Sequence, residues 1–119
     1  MKATGGKANA QVVQELLRSK KYLPLKKLVR YTQGEYYGSN KDGMGPGECY
    51  AQGWSLIYFL RTAPGKARCW NPAWATILPT YLETLVITGK LDQAVDKAFA
   101  NVDWDALEAC WSEYLDKEI

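Results

Sequence analysis

Apolar residues recur along this chain at steps of three and four, and scarcely anywhere do they alternate as a half-buried strand would require. Val12, Val13, Leu16 and Leu17 predict a first helix over about Asn9 to Lys20, and Leu25, Leu28 and Val29 a short second one after Pro24. Proline suits a first helical turn, where its missing N–H would have had no partner. A third helix is expected over about 48–61. There Cys49, Tyr50, Ala51, Trp54, Leu56, Ile57, Tyr58, Phe59 and Leu60 give apolar surface on nearly every side, the pattern of a helix surrounded by neighbours. Asn71 and Pro72 form a start signal for a fourth helix, with Trp74, Ile77, Leu78, Tyr81, Leu82, Leu85 and Val86 on one stripe and a solvent-facing kink at Pro79. Gly89 ends it. Leu91, Ala94, Val95, Ala98 and Phe99 define a fifth helix, and Asp103 caps a sixth with Trp104, Leu107, Trp111, Tyr114 and Leu115 in line.

The expected fold is therefore all-α, a bundle of about five to six helices around the 48–61 helix with no significant sheet, and 1–119 reads as a single helical domain. Residues 34–47, with Gly34, Gly38, Gly43, Gly45, Gly47 and Pro46, read as a flexible glycine-rich loop. No window carries the roughly 18 uninterrupted apolar residues of a membrane span, and the first residues lack an apolar signal core. The chain is expected to be soluble, without membrane insertion and with no visible compartment address.

Charge is uneven. Up to Lys41, nine Lys/Arg stand against two acids, +7; from Asp42 on, six stand against eleven, −5. An anionic partner for the front half would account for this. So would two halves that lie against each other, or a front half facing an acidic region of a larger parent, and these readings are favoured, because Lys20, Lys21, Lys26 and Lys27 flank helices.

Candidate chemistry is sparse. The chain has no histidine, and H-E-x-x-H, Ser-His-Asp, G-x-x-x-x-G-K-[ST] and G-x-S-x-G are all absent. Gly43-Met-Gly-Pro-Gly is glycine-rich without the strand or lysine of a phosphate cradle. Asp92/Asp96 and Asp103/Asp105 sit on solvent faces or at helix starts. Cys49, Cys69 and Cys110 are widely spaced with no C-x-x-C pair, and read as free thiols, buried or half-buried. No catalytic, cofactor-binding or metal residue is assigned.

Tyr50-Ala51-Gln52-Gly53-Trp54-Ser55-Leu56-Ile57-Tyr58-Phe59-Leu60 resembles the Y-A-x-x-W-x-L-x-x-F-L helix of a bacterial domain family of unknown function related to the peptidase-MA-like gluzincins. Leu82 to Gly89, Ala98-Phe99 and Asp103-Trp104-x-x-Leu107-Glu108-x-x-Trp111-x-x-Tyr114-Leu115 follow in that family's order, motifs that lie between Tyr50 and Leu115 within a resemblance covering roughly the last 100 residues. It implies the C-terminal helical part of a zinc metallopeptidase-like protein. The zinc-binding H-E-x-x-H helix would lie in the parent's other half, and zinc is implied only there. A later glutamate serves such enzymes as third ligand; Glu48 is the candidate here, but Glu-Cys-Tyr-Ala does not meet the usual E-G-x-A, and Glu48 reads as a first-turn acid. The implied role is a non-catalytic subdomain that scaffolds the catalytic half, whose partner is the parent's N-terminal catalytic-like domain, with some self-association expected through apolar surface of the first and third helices left open. The alternative is a stand-alone helical module for protein interaction or for nucleic acid on its basic face. Nucleic acid is the weaker version, because most of the aromatics lie on inward stripes.

Overall fold

A computed structural model describes residues 3–118, and the side-chain surroundings of 9–117. Within them lie seven α-helices, one 3₁₀ helix and no strand: α1 (Ala3–Ser19), α2 (Leu25–Leu28), α3 (Gln33–Tyr36), α4 (Pro46–Thr62), a 3₁₀ turn (Pro72–Thr76), α5 (Ile77–Thr88), α6 (Leu91–Ala98) and α7 (Trp104–Glu118). The expected all-α bundle is the observed architecture, with two more helical segments than the apolar spacing marks.

Local chemistry explains most boundaries. Helix α1 ends with Lys20 in the left-handed region at φ 58°, which lets Lys20 N–H bond the Leu17 carbonyl and Lys21 N–H the Leu16 carbonyl. That is the Schellman arrangement, with lysine where glycine is usual. Asn71 caps the 3₁₀ turn through Ala73 N–H at 2.9 Å, and Asp103 caps α7 through Asp105 and Ala106 N–H at 3.0 and 3.2 Å. Gly89 closes α5 at φ 64°. All three punctuation marks stand where the sequence places them.

Several expectations need correction. The fourth helix is not one rod kinked at Pro79: the 3₁₀ turn 72–76 gives way to α5 at Ile77, and Pro79 lies in the first turn of α5, exposed and with no intrahelical bond to lose. The loop reading of 34–47 is too simple, since Thr32 and Glu35 form a reciprocal capping box that nucleates α3, and α4 begins already at Pro46. Between those helices Asn40 ties the turn, accepting from Asp42 and Met44 N–H and donating to the Glu35 and Met44 carbonyls, and Met44 is buried. The apolar stripe of α5 is not fully covered either, and Cys69 and Cys110 are not free thiols; both points belong to the site below.

The core sits where α4 meets α1 and α7. Val13, Ala51, Phe59, Leu107, Trp111 and Leu115 are almost fully inaccessible there, together with Val95 from α6. A smaller cluster of Leu16, Leu23, Leu28, Tyr31, Met44 and Cys49 fills the front of the molecule.

Candidate functional site

Two sides of α4 differ in chemistry. Towards α1, α2 and α7 each buried polar group has a partner. Gln52, wholly inaccessible, accepts from Leu23 N–H at 3.0 Å and donates back to the Leu23 carbonyl, fixing the chain between α1 and α2. Ser55 Oγ donates to the Gln52 carbonyl at 2.6 Å and accepts from Trp111 Nε1 at 3.0 Å, so the largest core side chain has its one polar atom satisfied. Thr62 and Tyr114 share a hydroxyl contact of 2.7 Å. Glu108 on α7 accepts from Leu25 N–H at 2.8 Å at the start of α2. Gln52 and Ser55 are polar residues in a helix read for its apolar surface, and apolar spacing carries no sign that Ser55 accepts from Trp111.

Towards α5 the surface of α4 is apolar and open. Leu56, Ile57 and Leu60 of α4 and Ile77, Leu78, Tyr81 and Leu82 line a cleft of about 290 Å³, together with Leu28, Val29, Leu91 and Phe99. Tyr31 and Tyr36 also border it, and Tyr36 can lie so near α4 because residue 53 is glycine: a Cβ there would run into the Tyr36 hydroxyl. Burial raises the Tyr36 and Tyr81 hydroxyls above the ordinary tyrosine range. Beyond the cleft mouth Leu82 is 51% exposed, Val86 84% and Ile87 74%, while Thr84 on the same helix is buried. The expected inward stripe therefore runs partly outward, because α5 turns Ile77 and Thr84 inward and leaves Leu82 and Val86 uncovered. On α4 itself Ile57 and Tyr50 are exposed as well, so the central helix is not enclosed on every side.

The basic front half meets acids from the back half. Arg30 pairs with Asp96 and, at 3.7 Å, with Asp92; Lys27 pairs with Asp42, whose other oxygen accepts from Tyr31. These hydrogen bonds, Lys27 first and then Tyr31, hold the Asp42 carboxyl below the usual range. Burial, followed by the Asp42 hydrogen bond, raises Tyr31. Asp92 and Asp96 thus face a guanidinium, and Asp103 is a cap.

Glu48 Oε1 accepts from Gly45 N–H at 2.8 Å, the geometry of a first-turn acid at the start of α4. Among the described residues no three Cys, Asp or Glu side chains converge as a metal-ligand set, and no helix is long and apolar enough to cross a membrane.

Cys69 and Cys110 form a disulfide between the 63–71 connection and α7. The spacing gave no sign of it, since 41 residues separate the two. Cys49 alone stays a thiol, buried, with its pKa raised by desolvation and by Glu48. No protein-family model, curated protein or solved structure matches the chain.

Proposed function

We propose that this chain is a non-catalytic helical scaffold domain, docking through the α4–α5 surface onto the catalytic-like half of a gluzincin-like protein. The observation that carries the reading is the open apolar surface. A cleft of about 290 Å³ is lined in part by Leu82, and Val86 and Ile87 on the same helix are exposed, whereas among the described residues the buried side-chain polar groups are satisfied and charges pair between the two halves. Contiguous apolar surface of this kind marks a contact site more often than a free face. The order of the family-like motifs supplies the partner, and the Glu48 bond to Gly45 supports a capping role in place of a ligand role.

The test uses the complete reading frame that encodes this segment. The couple of hundred residues preceding Met1 are expected to hold H-E-x-x-H or a degenerate relic of it. Replacing Leu82 and Val86 by Asp in that full protein should make the junction between the halves sensitive to limited proteolysis while the helical circular dichroism stays unchanged. A digestion pattern identical to the parent's, or an upstream sequence with no such motif, defeats the proposal.

A further inference from the structure

The disulfide joins two unlike sulfurs. Cys110, on α7, is 1% exposed and packed among Phe59, Trp111 and Tyr114, whereas Cys69 lies on the exposed connection. Beside it runs a groove of about 180 Å³ lined by Lys66, Arg68, Cys69, Glu113, Tyr114 and Lys117. Three cations stand there against one acid, and Glu113 is held by Lys117 at 2.9 Å. Lys66 and Arg68 are exposed and make no ion pair among the described residues. We infer that this groove is a thiol–disulfide exchange site, at which an anionic low-molecular-weight thiol attacks Cys69.

The chemistry follows from access and charge. Attack goes to the sulfur that can be reached, and it is made by the thiolate, an anion that Lys66 and Arg68 attract. The incoming sulfur bonds Cys69 Sγ, the S–S bond breaks, and its electron pair leaves on Cys110 Sγ, which takes up a proton from solvent. A second thiolate then attacks the outer sulfur of the mixed disulfide, forming the small-molecule disulfide and releasing Cys69, which also protonates. Two thiols are oxidised to one disulfide as the protein's cystine is reduced to two cysteines. Cys49 takes no part, being inaccessible and distant from the pair in the front cluster. What the exchange releases is the 63–71 connection, whose Trp70 stands edge-on to Phe59 and Trp74 at centroid distances of 5.5 and 5.4 Å. Opening the bond is therefore visible in the near-ultraviolet dichroism of those rings. None of this depends on the docking role proposed above.

The experiment follows reduction of the oxidised chain by mercaptoethanesulfonate and by cysteamine, each rate divided by that of the same thiol on neutral hydroxyethyl disulfide. The anionic thiol should lead by about fivefold at low salt, the scale of one to two screened charge contacts, and the lead should shrink with added salt. In the Lys66→Ala/Arg68→Ala variant, which alters exposed side chains only, the lead should vanish. Mass spectrometry should find the trapped adduct on Cys69. Equal normalised rates in the unaltered protein, an adduct on Cys110, or reduction that proceeds only in denaturant would each overturn the assignment.

Discussion

Helix α4 has two flanks. One is sealed by α1, α2 and α7, with Gln52, Ser55 and Thr62 each bonded to a named partner. The other looks across an apolar cleft to α5, which leaves Leu82, Val86 and Ile87 in water. Burial of a polar group without a partner costs more than a hydrogen bond returns, so such groups persist in a core only where geometry is fixed. The sealed flank thus specifies one arrangement of helices. The open flank carries no such constraints, and it is the surface on which the docking proposed above rests.

The comparison can be broken from its strong end first. Trp111→Ala should lower unfolding free energy by about 5 kcal/mol, combining a large cavity with a Ser55 hydroxyl that loses its donor, as read from urea unfolding. Cys69→Ser should cost about 4 kcal/mol, because a cross-link spanning 41 residues limits the unfolded chain strongly. Reduction of the unaltered protein should reproduce that loss in the same titration. Gln52→Leu keeps the volume but strands the Leu23 N–H and carbonyl, for a loss of about 2 to 3 kcal/mol. A much smaller loss would show that water replaces the amide and that this flank is less tightly specified.

Acid should act on the front of the molecule. The folded pKa of Asp42 is lowered by Lys27 and Tyr31, so its contribution is present above the unfolded value of about 4 and fades as pH falls through the folded value. Unfolding followed against pH should therefore show an acid limb that flattens in Asp42→Asn. At the weak end, Val86→Ser should change stability by less than about 0.5 kcal/mol, since Val86 is 84% exposed, and Leu82→Ser by about 1 kcal/mol, since half of Leu82 lines the cleft.

What could be read from the sequence was local. Asn71, Gly89 and Asp103 act through bonds to residues two to four positions away, so their cap roles follow from residue type and place. The stripe of α7 was legible for a related reason: Leu107, Trp111, Tyr114 and Leu115 form one inward face, and all four are buried. Spacing alone does not say which apolar stripe has a neighbour, and so α5 misled. Its Leu82 and Val86 share the period of Ile77 and Leu78, but Leu82 is only half covered and Val86 hardly at all. The disulfide escaped because residues 69 and 110 come together only through the packing of the 63–71 connection on α7. The Asn40 turn escaped because glycine content reports a loop and not the side chain that organises it.

The most direct test of the docking claim is carbene footprinting of Leu82, Val86 and Ile87 in this chain and in the protein made from its complete reading frame. All three should label readily in the isolated chain and be strongly protected in the full protein, with Lys20 and Lys21 labelled equally in both. Equal labelling of the α5 residues in the two samples would contradict the account.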